Sequence, residues 1–401
     1  GGNLNHLNLI YPIQQKASQF LSETIDKVQN NNNVTILLNS RIANVQGYLG
    51  NYEIQIADSD GIVSNLKIGT IVVATGGKEY KPFGLFYYDG KNPAIITQLE
   101  LEERLKSNDK EWMTNINRIA LILCVNSRQK EGITYCSNIC CANVLKNIAL
   151  LKKIKPALEI IVLYRDMQMA KKEFEDYYRE RRKNAIFLRY DLWDIPTIIR
   201  KKRERDQYKI QVFDINLKEI IEFDTDLIIL STPMIPSENP EELAKLLKVP
   251  IEKSGFFLEA HVKLRPLDFA TEGIFLCGCA QWPKNIQDSI AQANGAAGRA
   301  GKFLGAKEIK TSGLISKVIE EKCIGCGKCE KLCPYKAIEL IEIRMEFEEV
   351  SFTMNKSYIN PALCKGCGTC AANCPVRAIS VKHYDLNQIT AMIDTCLLEK
   401  S

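Results

Sequence analysis

The sequence is poor in histidine and contains no long apolar run. Three histidines occur in 401 residues, so we do not expect a metal site built on imidazole ligands. No apolar stretch approaches the ~20 residues that a membrane-spanning helix needs, and the start of the chain does not read as a secretory signal. The net charge of +5 is small for this length and gives no reason to expect binding to nucleic acid. These features predict a cytoplasmic protein without a membrane span.

Two further features are missing. The chain begins with Gly1 and Gly2 rather than with methionine, and we therefore expect a fragment or a processed form. A G-x-G-x-x-G loop, which binds the pyrophosphate of a dinucleotide, does not occur. The length itself predicts two or three domains.

Cysteine, by contrast, is abundant. Fifteen cysteines in a chain without an export signal point to metal ligation rather than to disulfides. Residues 323–334 and 364–375 both read C-x2-C-x2-C-x3-C-P, the pattern of bacterial ferredoxins with two [4Fe–4S] clusters, in which the fourth cysteine of each run ligates the other cluster. One cluster is therefore assigned to Cys323, Cys326, Cys329 and Cys374, and the other to Cys364, Cys367, Cys370 and Cys333. A pair of zinc knuckles is the alternative, but the duplicated Cys-Pro endings argue against it.

A second group of cysteines lies in the middle of the chain and consists of Cys124, Cys136, Cys140 and Cys141. Cys124 is predicted to end a strand. The other three surround the start of the next helix, where free N–H groups and the helix dipole favour thiolates. A nucleotide-binding domain has its glycine-rich phosphate loop at this place, but residues 124–128 read Cys-Val-Asn-Ser-Arg. The group is either the ligand set of a third iron–sulfur cluster or four structural thiols that are buried singly.

The pattern of strands and helices predicts an α/β protein. Residues 71–74 form a strand that runs into Thr75 and Gly76, an ending that suits a dinucleotide-binding fold. From residue 116 onward, short aliphatic strands alternate with helices, which indicates a parallel sheet. A hairpin is predicted over residues 41–57, where two alternating segments flank a glycine.

A flavin site is indicated around Gly278. A strand over residues 273–277 ends at this glycine, and a helix rich in small residues follows from about Ser289 to residue 303. Small residues would let the helix pack close to a cofactor, with its N-terminus aimed at an electron-rich ring edge. Tight packing within the protein is the alternative. The predicted cofactor contacts at the two strand ends and this helix are Thr75, Gly76, Gly278, Ser289, Ile290 and Ala291.

Several other stretches combine with the two ferredoxin motifs into one recognisable pattern. They are residues 1–4, 71–76, 96–100, 135–141, 163–166, 174–179 and 256–266. Over nearly the whole chain this pattern resembles the A subunit of heterodisulfide reductase, an iron–sulfur flavoprotein related to thioredoxin reductase. The resemblance implies a thioredoxin-reductase-like module of two dinucleotide-binding folds, followed by an α+β ferredoxin domain. The implied domains are a split FAD-type domain (1–115 and 256–308), an inserted NAD(P)-like α/β domain with the central cysteines (116–255), and a two-[4Fe–4S] domain (313–401).

The resemblance also implies a function and its partners. In that family the flavin is FAD, proposed to split an electron pair between a low-potential acceptor, ferredoxin, and a high-potential branch. The high-potential branch leads through partner subunits to a disulfide, which in methanogenesis is the coenzyme M–coenzyme B heterodisulfide. The implied electron source is a hydrogenase or formate dehydrogenase subunit, and a homodimeric core is implied too. The disulfide chemistry belongs to a partner subunit, so no catalytic acid or base is predicted here.

Two site assignments follow from the resemblance. The central cysteines correspond to a [4Fe–4S] cluster in the flavin-bearing part of the family. Lys263 corresponds to a lysine near the isoalloxazine, where a cation tunes the potential and balances charge; the alternative is an ordinary surface lysine. Cys277, Cys279 and Cys396 are predicted to be ordinary core or surface thiols.

The sequence also departs from the family. The relatives have a G-x-G-x-x-G fingerprint upstream of the segment that starts here at Gly1, so we expect this chain to lack the part of the site that holds the FAD pyrophosphate. Two alternative functions therefore stay open. One is a flavin-free iron–sulfur electron-transfer module, and the other is a related flavoprotein of sulfur or sulfate metabolism.

Overall fold

The computed structural model describes residues 2–11, 14–61, 63–107, 109–169, 172–200, 208–308, 313–347 and 350–398. Two compact units make up the chain. The first comprises Gly1–Val45, Glu53–Leu66 and Thr70–Gly301, and the second comprises Gln46–Tyr52, Lys67–Gly69 and Lys302–Ser401. Among the helices of the described residues, none combines the length and the apolar composition that crossing a bilayer requires.

The segment up to residue 304 contains many short strands and a smaller number of helices. The strands are Leu9–Ile10 (β1), Gln15–Lys16 (β2), Arg41–Tyr48 (β3), Asn51–Ala57 (β4), Val63–Ile68 (β5), Ile71–Val73 (β6), Gly77–Glu79 (β7), Ile95–Thr97 (β8), Arg118–Ile122 (β9), Glu159–Tyr164 (β10), Ile186–Arg189 (β11), Thr197–Arg200 (β12), Tyr208–Asp214 (β13), Glu219–Thr225 (β14), Leu227–Leu230 (β15), Met234–Pro236 (β16) and Ile274–Leu276 (β17). The helices are Ala17–Gln29 (α1), Gln98–Lys106 (α2), Cys140–Ile154 (α3), Lys172–Arg181 (α4), Pro240–Leu247 (α5) and Ile286–Leu304 (α6).

A parallel sheet with the strand order β11-β10-β9-β15-β8 forms the core of the first unit. Alternate side chains of its central strands face opposite layers. Leu121 and Ile229 pack in the cluster that includes α2, α3 and α4, whereas Ile122 and Leu230 pack in the cluster that includes the β12-β13-β14 sheet. Because both faces are covered, the central strands β9 and β15 consist almost entirely of aliphatic residues, as is typical of parallel sheets.

Two other pairings organise the first unit. β6 and β17 pair in parallel, so a strand from before the central sheet lies beside one from after it. A domain split around an inserted one needs such a pairing. β8 pairs with β15 inside the central sheet, although it precedes residue 116, where the inserted domain is predicted to begin. The predicted hairpin is present as β3 and β4, in a sheet of order β3-β4-β5.

The second unit is built on the duplicated cysteine motif. Its strands are Ser316–Val318 (β18), Ile338–Phe347 (β19), Val350–Ile359 (β20) and Ile379–Val381 (β21), and its helices are Lys328–Leu332 (α7), Thr369–Ala372 (α8) and Leu386–Leu398 (α9). In each copy a cysteine loop leads into a short helix and then into a strand, α7 to β19 and α8 to β21. β19 pairs with β20, and β18 pairs with β21, both antiparallel.

Candidate iron–sulfur and flavin sites

Two glycines fix the path of the cysteine loops in the second unit. Gly325 has φ 67°, and a Cβ there would lie 2.1 Å from the Asn355 carbonyl oxygen. Gly366 has φ 62°, and a Cβ there would lie 2.4 Å from the Leu314 carbonyl oxygen. Only glycine fits either position, because the left-handed backbone and the close carbonyl both exclude a side chain. Each loop therefore packs closely on a backbone carbonyl, the first on that of Asn355 and the second on that of Leu314.

One cavity is surrounded by four of the predicted cluster ligands. Cys333 of the first motif lines it together with Cys364, Cys367 and Cys370 of the second. The rest of the wall consists of Ser316, Pro334, Tyr335, Ala337, Ile338, Lys365 and Thr369. The exchange of the fourth cysteine between motifs is what the ferredoxin pattern predicts. This set of four thiols fits the ligands of a [4Fe–4S] cluster.

Two buried serines form hydrogen bonds with the sulfurs of the two loops. The Ser316 amide donates to Cys364 Sγ at 3.3 Å, and Ser316 Oγ lies 3.4 Å from Cys370 Sγ. Ser357 Oγ lies 3.1 Å from Cys329 Sγ and 3.9 Å from Cys323 Sγ. Hydrogen bonds of this kind stabilise negative charge on ligating sulfurs. Sequence reasoning missed both serines because they lie on strands outside the motifs.

Backbone amides complete the donor set. The Ala337 amide donates to Cys333 Sγ at 3.3 Å, and the Ala378 amide donates to Cys374 Sγ at 3.2 Å. Burial alone would raise the pKa of the Cys323 thiol, but the hydrogen bonds from Ser357 and the nearby charge of Lys356 bring that pKa below its ordinary value. Within the described ranges, no group of three or more Cys, His, Asp or Glu residues is arranged to hold a single metal ion.

The four central cysteines are free thiols, and Cys124, Cys136 and Cys141 lie close enough to Cys140 to raise its pKa. Cys124 follows β9, and Cys140 and Cys141 form the first turn of α3. Burial raises the pKa of Cys141 to about 12 and that of Cys140 well above its ordinary value, and Cys124 and Cys136 raise both further. Thiols in such a dry group do not readily carry negative charge by themselves. A cationic iron centre would deprotonate them and offset that cost, so the donor set fits a cluster.

The loop that carries Cys124 has an unusual backbone. Cys124, Asn126 and Arg128 have φ values of 59°, 52° and 57°, which place every second residue in the left-handed region. Each such non-glycine residue costs on the order of 1 kcal/mol, and strain of this kind concentrates at functional sites. The loop is closed by hydrogen bonds from the amide of Arg128 and the hydroxyl of Ser127 to the Tyr135 carbonyl.

An arginine–aspartate network lies against the central thiols. The Arg128 guanidinium lies close enough to Cys124 for its charge to oppose the burial that raises the pKa of that thiol, and it lies 2.6 Å from Asp166 Oδ2. Asp166 also pairs with Arg189 at 3.0 Å, and its backbone carbonyl lies 3.7 Å from Cys141 Sγ. Sequence reasoning missed this network. The available signal was that Asp166 follows β10, whose carboxyl end meets that of β9 at one sheet edge.

The predicted flavin contacts meet at the carboxyl ends of β6 and β17. Thr75 and Gly76 follow β6, and Gly278 follows β17, so the parallel pairing brings the three to one edge. Gly278 has φ 65°, and its amide donates to the Gln292 side chain of α6 at 2.9 Å. Ligands of parallel α/β sheets bind at such an edge. This arrangement fits the ring end of a flavin.

Helix α6 begins earlier than the sequence predicts. The Asn285 side chain accepts from the Asp288 amide at 2.8 Å and caps the helix, which therefore starts at Ile286. The Ser289 amide bonds to the Asn285 carbonyl and is not free for a ligand. Ile290 and the following Ala291 are exposed on the helix surface. Contact between residues 289–291 and a flavin stays a prediction.

Two lysines bear on the flavin prediction, and their settings differ. Lys263 is exposed in a loop where His261 Nδ1 accepts its amide at 3.2 Å, and its approach to a flavin stays a prediction. Lys284, which sequence reasoning missed, donates to the carbonyls of Gly278 at 2.7 Å and Trp282 at 2.8 Å. Burial lowers the pKa of Lys284, and nearby acidic groups oppose that effect.

Comparison with known families identifies the second unit. The 4Fe-4S dicluster domain family matches residues 322–385. That range contains both cysteine motifs and Ser357 of β20. The chain therefore carries a dicluster domain, and the prediction of an iron–sulfur domain near the C-terminus is confirmed.

Curated relatives align over most of the chain. The A subunit of the H(2):CoB-CoM heterodisulfide,ferredoxin reductase of Methanothermobacter marburgensis is 36% identical over 352 residues, which cover 83% of this chain and 50% of that protein. A protein of Archaeoglobus profundus, named as similar to the A subunit of heterodisulfide reductase, is 35% identical over 309 residues, covering 70% and 44%. The iron-sulfur A subunit of the CoB–CoM heterodisulfide reductase of Methanocaldococcus jannaschii is 35% identical over 293 residues, covering 69% and 43%.

Solved structures of thioredoxin reductases also align. The enzyme of Lactococcus lactis gives a TM-score of 0.49 at 12% identity, covering 76% of this chain and 88% of that one. The enzyme of T. acidophilum gives a TM-score of 0.46 at 11% identity, with the same coverage. The α/β assignment of the first unit rests on its own parallel sheet and covering helices.

The sequence relatives decide the family. All three are named for the A subunit of heterodisulfide reductase, and the chain spans about half the length of the curated relatives it matches. The resemblance found in the sequence is thereby confirmed, and the chain belongs to the family of heterodisulfide reductase A subunits.

Proposed function

We propose that this chain is an electron-transfer subunit of a heterodisulfide reductase-like complex, with FAD and three [4Fe–4S] clusters as cofactors. The observation that carries the proposal is the group of Cys124, Cys136, Cys140 and Cys141 at the edge of the central parallel sheet. A dinucleotide-binding domain would hold a phosphate there, whereas thiols suit a redox centre. Together with the dicluster domain, the chain would supply ligands for three clusters.

The residues of the central site have distinct roles in this proposal. The four thiolates bind the iron, and the buried position of Cys140 and Cys141 excludes water. Arg128 places its charge near the Cys124 sulfur and is itself oriented by Asp166. When bound, the iron–sulfur groups carry single electrons, and the flavin can exchange a pair of electrons or one at a time.

The flavin part of the proposal rests on the edge formed by β6, β17 and α6. Gly76 has room beside it, since a Cβ there would meet no atom within 4 Å, and Gly278 leaves the strand in a left-handed turn. Lys284 places a half-buried ammonium at this edge, where a cation would stabilise an anionic reduced flavin. Because the sequence contains no G-x-G-x-x-G loop, this edge accounts only for the ring end of FAD.

The proposal extends to the partners. Two relatives are named as A subunits of an H(2):CoB-CoM heterodisulfide,ferredoxin reductase, a name that joins a disulfide with ferredoxin. We assign this chain the same two acceptors, served by flavin-based electron bifurcation. Ferredoxin takes the low-potential electron, and a disulfide-reducing partner subunit takes the high-potential one. A hydrogenase or formate dehydrogenase subunit supplies the pair, and the core is a homodimer.

The first experiment is to measure iron, sulfide and FAD per chain on protein purified without oxygen. We expect about twelve irons, four for each cubane, and near-stoichiometric FAD. About eight irons without FAD would overturn the proposal and support a flavin-free module built on the dicluster domain. A chain with the full cofactor set that reduces a quinone and no disulfide would instead indicate a flavoprotein of sulfur or sulfate metabolism.

A matched pair of variants sharpens this measurement. Cys140→Ser should remove about four irons and leave the dicluster domain loaded. Cys396→Ser is the control, because Cys396 is exposed on α9 and belongs to neither thiol group. Equal iron contents in both variants would show that Cys140 is not a ligand.

A further inference from the structure

The two cysteine loops of the dicluster domain pack alike against the backbone of Asn355 and Leu314, but the residue that follows each of these two differs. Asn355 and Leu314 hold equivalent places, because each presents its carbonyl to the matching loop glycine. The residue after each therefore also corresponds, and these residues are Lys356 and Ile315. The first loop is contacted by the Lys356 amine, whereas the corresponding residue beside the second loop is apolar.

Lys356 is a buried cation. Its side chain is 4% exposed, and Nζ donates to the carbonyl oxygens of Glu320 at 2.8 Å and Cys323 at 2.6 Å. In the part of the chain that the structure describes, no carboxylate forms an ion pair with it. A buried ammonium without an anion is costly. The anion that fits is the cluster whose ligands include Cys323, since a four-iron cluster with four thiolates carries net negative charge.

The second loop has a weaker counterpart. Ile315 brings no charge, but Lys365 lines the cavity formed by the cysteines of that loop. Lys365 is half-buried rather than buried, so water screens its charge. The residue that matches Lys365 in the first loop is Ile324, which is exposed. Of these two lysines, Lys356 beside the first loop is the one that water screens less.

We propose that Lys356 gives the cluster of Cys323, Cys326, Cys329 and Cys374 a higher reduction potential than the other cluster of the domain. A single electron in the domain therefore resides preferentially on the first cluster. The potential of such a cluster depends on nearby charge, hydrogen bonds and exposure to solvent. A buried positive charge favours the reduced state, which is one unit more negative, and acts strongly at low dielectric. In the transfer, one electron leaves the reduced neighbour and reduces this cluster, and no bond or proton changes place.

The proposal depends on the dicluster domain alone, and neither the flavin nor the partner subunits enter it. The test is a redox titration of the full chain followed by EPR spectroscopy, comparing Lys356→Met with Lys365→Met. Lys356→Met should move the first cluster to a more negative potential and narrow the gap between the two. Lys365→Met should move only the second cluster, and by less. An unchanged gap in Lys356→Met would overturn the proposal.

A second measurement assigns the signals and does not require Lys356 to be replaced. Cys326 and Cys367 are exposed and belong to the first and second loops, so Cys326→Ser and Cys367→Ser should each alter the spectrum of one cluster. With limiting dithionite, the signal of the first electron should change in Cys326→Ser and persist in Cys367→Ser. The opposite pattern refutes the proposal even if Lys356→Met fails to fold. A missing central cluster or missing FAD would affect neither readout.

Discussion

Ser316 and Ser357 stand in the same relation to the two halves of the dicluster domain. Ser316 Oγ lies 3.4 Å from Cys370 Sγ, and Ser357 Oγ lies 3.1 Å from Cys329 Sγ. Both serines are buried, on strands β18 and β20. Each hydroxyl can therefore donate to a ligand sulfur without competition from water, which favours the reduced state of the cluster it serves.

This relation predicts a pair of separable effects. Ser316→Ala should lower the reduction potential of the cluster assigned to Cys370, and Ser357→Ala should lower that of the cluster assigned to Cys329. Redox titration with EPR detection measures both. Ser254→Ala, in the first unit, is the control and should change neither potential. A shift of the same cluster in both variants would contradict the assignment of the ligands.

At the central site, substitutions of Arg128 test whether a neighbouring charge sets the potential of the proposed third cluster. Arg128→Met removes the charge near Cys124 and leaves Asp166 with Arg189 alone. The potential of the proposed third cluster should fall, because a positive charge next to a ligand sulfur is lost. Arg128→Lys should restore part of the shift, since it keeps the charge without the forked geometry. Arg179→Met is the control on the exposed face of α4.

If Arg128→Met, Arg128→Lys and the unmodified protein show the same potential at the proposed third cluster, Arg128 does not contact Cys124 in solution. If the cluster is lost in Arg128→Met but retained in Arg128→Lys, the charge is needed for assembly as well. Iron content distinguishes these outcomes before any titration is done.

The sequence predicted those parts of the sites whose signals are local. The spacing of cysteines in each motif is set by one loop and one helix turn, so Cys323 and its partners could be assigned without a structure. The strand before Cys124 and the helix after Cys136 were likewise visible as aliphatic runs. The start of α6 was placed too late because its cap, Asn285, precedes the small residues that marked the helix.

The parts of the sites that the sequence did not predict depend on contacts between segments that are distant in the chain. Ser357 and Lys356 contact Cys323 across the β-hairpin of β19 and β20. No short sequence pattern predicts a hydrogen-bond partner so far along the chain. Asp166 reaches the central thiols because β9 and β10 are adjacent in the sheet. Such pairings are decided by strand order, which a single sequence specifies only through its complete fold.

The pKa differences among the cysteines predict an order of reaction in metal-free protein. A hydrogen bond from Thr369 lowers the pKa of the exposed Cys367, whereas burial raises the pKa of Cys140 and Cys141. Since only the thiolate reacts, iodoacetamide should modify Cys367 at neutral pH and spare the two buried thiols until alkaline pH or unfolding. Mass spectrometry of quenched samples measures the order.

Thr369→Val gives the control for that experiment. Without the hydroxyl, the rate at Cys367 should fall at neutral pH and recover as the pH rises. Rapid modification of Cys140 in folded protein at neutral pH would show that the central thiols are exposed to solvent.

The last prediction concerns an ion pair that joins α2 to α3, the helix that contains Cys140 and Cys141. Lys146 Nζ lies 2.7 Å from Glu102 Oε1, and both side chains are 1% exposed. Lys146 also donates to the Leu9 carbonyl, and Glu102 accepts from the Asn8 amide. Lys146→Met leaves the Glu102 carboxylate buried without its partner, which should lower the free energy of unfolding by about 3–5 kcal/mol.

Denaturant unfolding of the variants measures this cost. The double variant Glu102→Leu with Lys146→Met should be more stable than Lys146→Met alone, because no uncompensated charge stays buried. Lys153→Met, at an exposed position on the same helix, should change stability by less than about 0.5 kcal/mol. If the single and double variants unfold at the same denaturant concentration, the pair is not coupled and the N-terminal segment is anchored by its backbone hydrogen bonds alone.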